Sequence, residues 1–412
     1  MSTKRAVYRE LYNERGLELP SRFAIPPSRA NSVRNFPADI IRSDASQARI
    51  LILSGFPDLV EKFLAYKRQH GTTKEKQLYA NMTAGQEIAR LYRNRPLAFL
   101  NSSDDTVLRY GRRINSAARS WDAVGTDSEQ VITLSEYLSY DEIMLGSFMG
   151  ASSPSYFVNN GSRNNSGRPG APGSFETRGI IVGLVGARFE RPEHMDSNLI
   201  LLRSWKDEQQ KPSQQDPELT KIFLDFLGVK KEGFRFEGEV YIARMKIPIG
   251  LLLLEAQRYA EQESPSKMAY VYVVGLGLGV WKFDDRQPLF YVEAIRRVLV
   301  ELKGSLSRIA TIEIAWVDVD KVQERYLTET AREMGIKVKF SRRNPAAKLV
   351  DGEENQLLVL SYAWDANAYP GNEYWIGSLT ASGDPAAAAM STIAEIHNPE
   401  INPNIWRPYE SL

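Results

Sequence analysis

The residues most able to do chemistry crowd into one stretch. An apolar run over 357–360 leads into Asp365, Asn367, Asn372 and Glu373, and Asp384 follows before an alanine-rich segment opened by Pro385. Tyr369, Tyr374 and Trp375 lie among them. Carboxylates and amides at this density suit proton transfer, stabilisation of a developing cation and the gripping of sugar hydroxyls. In open α/β sheets, ligands bind beyond the carboxyl ends of strands, where this strand-to-helix connection emerges. Structural readings stand beside the chemical ones. Asp384 or Ser382 can cap the helix that begins at Pro385, Asp365 and Glu373 can be solvated loop carboxylates, and the alanines can serve close packing or admit a phosphate to the helix terminus.

Two further segments offer backbone or charge. Gly275, Gly277 and Gly279 form a Gly-x-Gly-x-Gly run that lacks the spacing of a dinucleotide fingerprint. Their backbone can be touched by a phosphate or by a neighbouring helix without side-chain interference. A β-rich segment over 179–189 emerges at Arg188 and Glu190, whose simplest reading is a surface ion pair, and Arg342 with Arg343 can meet phosphate or water. There is no nucleophile elbow, Walker loop or kinase motif set.

Composition narrows the chemistry further. With no cysteine and only His70, His194 and His397 in 412 residues, thiolate catalysis, disulfides and Cys-based metal sites are excluded, and no local His pair suits zinc. No metal and no cofactor is expected. Fifty-two Lys plus Arg against fifty-one Asp plus Glu give a formal charge of +1, so no global field attracts nucleic acid or an anionic membrane. The apolar runs over 247–254 and 269–281 are shorter than the roughly 20 residues that span a bilayer. The first residues lack a signal-peptide core. A soluble, cytoplasmic protein is expected, with delivery as a secreted effector the alternative.

These residues need elements to position them. Residues 1–48 mix charge and turn signals and read as a partly ordered arm. Helical spacing of Ile52, Leu53, Phe56, Leu59, Val60, Phe63 and Leu64 opens a helical region over 49–150, continued through 73–92, 108–121 and 134–149. Asn, Gly, Ser and Pro then crowd residues 150–173, a composition that excludes helix or central strand and suits either a linker or a binding loop. Beyond it strands over 179–189, 238–247, 269–281, 309–317, 336–340 and 356–363 alternate with helices over 251–261, 291–302, 322–334 and 385–396, and 198–202 is a short apolar run. The alternation predicts an α/β domain over 151–412 with a mostly parallel sheet.

Ordered blocks over about residues 130–405 carry a family resemblance. Leu138-Ser-Tyr-Asp-Glu-Ile, Ala151-Ser-Ser-Pro-Ser, Gly183-Leu-Val-Gly-Ala-Arg-Phe-Glu, Val274-Gly-Leu-Gly-Leu-Gly-Val-Trp, Asp365-Ala-Asn-Ala-Tyr-Pro-Gly-Asn-Glu-Tyr-Trp and Ser382-Gly-Asp-Pro-Ala-Ala-Ala together resemble the MavL-like family. The resemblance implies a macrodomain of the poly(ADP-ribose) glycohydrolase type, a mixed sheet flanked by helices and preceded by a mainly helical region. The implied activity is removal of ADP-ribose from modified arginine of a protein, ubiquitin among the candidate carriers. Asp365 and Asp384, with Glu373, would then be catalytic. Asn367, Asn372, Tyr374, Ser152, Ser153 and the Gly275, Gly277, Gly279 segment would bind the ligand. The glutamate pair of ordinary poly(ADP-ribose) glycohydrolases is not visible, which favours a single ADP-ribose over polymer. A macrodomain that reads ADP-ribose without cleaving it, and a partner-binding scaffold with a degenerate enzyme domain, are the competing classes.

Overall fold

The computed structural model describes residues 2–191, 194–202, 215–263, 267–377, 379 and 383–406, except for the side chains of residues 2, 3, 263, 383–386 and 406. Seven strands make the main sheet: β1 (Arg49–Leu51), β2 (Gly150–Tyr156), β3 (Arg178–Leu184), β4 (Ala269–Val274), β5 (Ile309–Ala315), β6 (Lys337–Ser341) and β7 (Leu357–Ala363). Their spatial order is β1-β2-β3-β7-β4-β5-β6. From β3 to β6 all neighbours are parallel, whereas β1 and β2 run antiparallel at one edge. In the centre Val359 of β7 lies opposite both Ile180 of β3 and Val271 of β4. Strands buried on both faces need near-continuous apolar sequence, and Val271, Ile312 and Val359 are fully buried.

Helices cover the faces, with Gly238–Glu263 packed on Gln287–Glu301 and on the sheet. A mixed sheet flanked by helices is therefore the observed fold, as expected. The parallel strands place Leu184, Ala363, Val274 and Ala315 at one end of the sheet, and the loops that leave them build the site.

Several local expectations change. The segment 238–247 is helix, not strand. Its apolar residues alternate in part, but Val240, Tyr241, Ile242 and Met245 are all buried while Glu239 is exposed and Ala243 and Lys246 partly so, the i, i+4, i+7 outer face of a helix whose apolar face is wide. Residues 108–121 supply part of a small three-stranded sheet, Ala98–Leu100, Asp105–Val107 and Arg113–Ile114, before a short helix Ala118–Asp122. Residues 49–51 pair as β1, the helix starting only at Phe56 with Pro57 in its first turn. The expected helix over 134–149 shortens to Tyr140–Gly146, and 198–202 falls in and just beyond the helix Asp196–Ile200. The expected helix over 73–92 is two, each opened by a capping box, Thr72 with Glu75 and Thr83 with Gln86. The helix expected over 385–396 is likewise two, Gly383–Met390 and Ile393–Ile396.

The crowded Gly-Ala-Ser-Ser-Pro-Ser-Tyr stretch is strand β2, which the composition had excluded. β1 pairs only with Gly150, Ala151 and Ser152, so Pro154 falls where β2 is an edge and a missing N–H is tolerated.

Residues 1–48, expected to be a partly ordered arm, carry the helices Ser2–Asn13 and Ala38–Gln47 and send Tyr12, Leu17, Val33 and Ile41 into the same core as the sheet. Their main polar anchor is Glu395, a buried carboxylate on the short helix Ile393–Ile396. It accepts from the Tyr12 hydroxyl, from Ser32 Oγ at 3.1 Å and from the Val33 N–H at 2.7 Å. Burial raises its pKa, and these donors together with Arg34 oppose the rise. Glu395→Ala strands three buried donors and is expected to cost about 3 kcal/mol or more of stability, measured by urea unfolding.

Candidate active site

At the carboxyl ends of β7, β4 and β5 a cavity of about 410 Å³ opens. Its floor is Ser361, Tyr362, Ala363 and Trp364, and one wall is the run from Gly275 to Trp281. Trp316, Asn344 and Pro345 also line the cavity, with Ala387 and Met390 of the helix Gly383–Met390. Gly161 and Arg163 also line it, so the Asn/Gly/Ser/Pro-rich segment is a binding-loop candidate folded onto the domain. That loop is held by Asn159, which donates to the Arg168 carbonyl and accepts from the Gly161 N–H.

The glycine wall owes its position to a backbone-to-backbone contact. A Cβ on Gly186 would lie 2.5 Å from the Gly277 nitrogen, so the loops leaving β3 and β4 can touch only because both residues are glycine. Gly277 also has φ of +72°, in the left-handed region that favours glycine. Gly275 and Gly279 continue the same wall.

Asp365 sits two residues past the end of β7 and directly after Trp364 of the cavity floor, without itself lining the cavity. Its Oδ1 accepts from the Asn367 N–H at 3.0 Å and the Ala368 N–H at 3.1 Å, and its Oδ2 from Asn372 Nδ2 at 2.7 Å. The turn is held open by Ala366 at φ of +60°, an uncommon state for a residue with a side chain. Partial burial pushes the Asp365 carboxyl above its ordinary value. Arg188, the two backbone N–H groups and Arg95 pull it back without cancelling the rise. A carboxylate has about four acceptor sites, and with three donors bound Asp365 keeps one for a substrate hydroxyl or a water.

The neighbours expected around Asp365 are partly assembled. Asn372 opens the five-residue helix Asn372–Ile376, and its Oδ1 accepts from the Glu373 N–H at 2.9 Å. Glu373 is half-buried in that first turn. The Asn367 amide is buried, and neither its oxygen nor its nitrogen has a hydrogen-bond partner among the described residues. Asp384 follows Gly383 in the first turn of Gly383–Met390, but its side chain, like all of Ser382, lies outside the described residues.

Three other residues are not brought to this group. Tyr374 is fully buried among Leu379, Ala388, Ala389 and Ala394, with its hydroxyl on the Pro27 carbonyl. Ser152 donates to Glu255, and Ser153 Oγ lies 2.8 Å from His397 Nε2.

Other residues at the site are set by packing that the sequence does not display. Arg188 is 3% exposed, not a surface ion pair, and bonds both Asp104 and Glu190 while lying 5.6 Å from the Trp281 ring. Trp316, Arg163 and Asn344 come from three separate loops that no local spacing connects. Arg343, a phosphate candidate in the sequence, is instead paired with buried Glu313 at 2.7 Å.

Comparison with known proteins now decides the family. The profile described as ADP-ribosylhydrolase MavL-like matches residues 11–223 and 205–408. The chain belongs to the MavL-like ADP-ribosylhydrolase family. It is 32% identical to one ADP-ribosylarginine hydrolase of Drosophila melanogaster over 93% of this chain and 81% of that protein. It is 31% identical to a second ADP-ribosylarginine hydrolase of the same fly over 88% of this chain and 78% of that protein. The MavL-like match spans the N-terminal helices as well as the sheet, in keeping with their shared core. Among the described residues no cluster of His, Cys, Asp or Glu is arranged to hold a metal, and no helix is long and apolar enough to cross a membrane.

His397 ties stability to pH. Burial pushes its pKa down to about 3, against about 6.5 in an unfolded chain. The unfolded chain therefore binds the extra proton first as pH falls. Stability through this one group is complete above pH ~6.5 and drops by up to about 1.4 kcal/mol per pH unit below it. Urea unfolding at pH 7, 6 and 5 should show that slope, and His397→Gln should flatten it.

Proposed function

We propose that this protein hydrolyses the N-glycosidic bond between ADP-ribose and an arginine side chain of a modified protein. One observation carries the reading: Asp365, a carboxylate fixed by three donors yet with an acceptor site to spare, stands beside a cavity of about 410 Å³, the size of an ordinary small-ligand site. The family match supports ADP-ribose as the ligand, and the names of both fly relatives support the arginine linkage.

The chemistry needs little more. A ribosylated guanidinium is already cationic, so its C–N bond can break with the electron pair leaving on a neutral guanidine while the ribose gains oxocarbenium character. Asp365 stabilises that positive charge and accepts a hydrogen bond from the attacking water. The water oxygen forms the new bond to the anomeric carbon, and its proton ends on the guanidine, which becomes guanidinium. Glu373 and Asp384 share the acidic work of orienting water and the guanidinium. Asn367, with its amide unpaired among the described residues, binds ribose hydroxyls, and Asn372 keeps Asp365 in place. The diphosphate lies on the backbone of Gly275, Gly277 and Gly279, which replaces a basic surface. The carrier is a soluble mono-ADP-ribosylated protein, ubiquitin being one candidate.

Two outcomes are expected. Asp365→Asn, nearly isosteric and still able to fold, should lower release of ADP-ribose from arginine-modified protein by a factor on the order of 10² or more; turnover within threefold of the parent removes Asp365 from the mechanism. Because the ionised carboxylate is the working form and burial raises its pKa, the acid limb of the pH–rate profile should lie above pH ~4, activity being present at higher pH and lost as pH falls.

A further inference from the structure

Arg95 is a charge in an expensive place. Its side chain is fully buried, and only Nε has a hydrogen-bond partner, the Leu91 carbonyl at 2.7 Å; neither Nη1 nor Nη2 has one among the described residues. An unpaired buried cation costs several kcal/mol, and an apolar side chain of like volume would fill the space at less cost. What the guanidinium does contact is an aromatic ring, its Cζ lying 4.2 Å from the Trp364 centroid.

Trp364 leads straight to the carboxylate. Its indole Nε1 donates to the Ala368 carbonyl at 2.8 Å, while the N–H of that same Ala368 donates to Asp365 Oδ1. Cation, indole and aspartate turn are thus one stack behind the cavity floor. From these contacts we infer that Arg95 is a positioning residue for Asp365: it seats the Trp364 ring that fixes the aspartate turn and holds the carboxylate in its ionised form.

The other charges near Asp365 sharpen the assignment. Arg188, from the loop after β3, is the nearer influence, but its charge is matched by Asp104 and Glu190. Arg95 faces Tyr92, Tyr369 and Asp365, of which only Asp365 is anionic near neutral pH. Glu373 stands on the helix that follows and adds negative charge that works the other way. Arg95 is therefore the cation whose field has no nearer carboxylate to absorb it. Burial lowers its own pKa to about 10, which leaves it charged throughout the working range.

The inference rests on the hydrolase reading, and its test separates the two. The pH dependence of kcat/KM on arginine-ADP-ribosylated protein is measured for the parent, Arg95→Met, Arg95→Gln and Arg95→Lys. A parent with no activity would sink the hydrolase reading itself. With an active parent, the Met and Gln variants should move the acid limb to higher pH by about half a unit or more, roughly a threefold loss at any pH on the limb, and Arg95→Lys should return it toward the parent. A purely structural role lowers the whole profile without moving the limb. An unmoved limb in the folded Met or Gln variant, or loss of the fold in both, would overturn the assignment.

Discussion

Everything in the site depends on a carboxylate held half out of water at the end of a buried strand. Asp365 is carried there by β7, the middle strand of the seven-stranded sheet, with β3 and β4 on either side. Burial raises the cost of its charge, while two backbone amides and Asn372 lower it. The donors and the two arginines oppose the rise that burial causes without cancelling it. The rest of the chain keeps the balance from drifting: Trp364 pins the turn, the glycine contact sets the cavity wall, and the N-terminal helices close over the back.

That closure explains why the N-terminal third cannot be set aside as an appendage. The Arg95 guanidinium and Asp104 come from it, and Tyr369 of the site loop bonds both the Pro96 carbonyl, through its N–H at 3.0 Å, and the Arg93 carbonyl, through its hydroxyl at 2.6 Å. Residues 1–48 are joined to the other end of the chain through Glu395. A site assembled from both ends of the chain and its middle is ordered only when the whole core is formed. Deletion of the first third is accordingly a change to the core, not the removal of a recognition module.

The sequence made the parallel strands legible because β4 is an apolar run and β5 and β7 are nearly so, interrupted only by Thr311 and Glu313 and by Ser361. It made Asp365, Asn372 and Glu373 legible because their roles are played within one short connection. Where the apolar face is wide, as over 238–247, the two periods overlap; where an edge relaxes the rules, as at Pro154, composition misleads. Arg95 gave no signal, since nothing local to it marks it as buried, and it is the Trp364 segment, far along the chain, that packs on its guanidinium. Ser152, Ser153 and Tyr374 show the converse: polar groups in telling motifs whose partners, Glu255, His397 and the Pro27 carbonyl, lie away from the site.

The central claim is geometric: ADP-ribose lies in this cavity with its distal ribose facing residue 365. A crystal structure of Asp365→Asn with ADP-ribose bound reads it directly. The account predicts the diphosphate along Gly275, Gly277 and Gly279 and the anomeric carbon of the distal ribose turned toward residue 365. ADP-ribose bound elsewhere on the molecule, or in the cavity with the adenine end at residue 365, would contradict it.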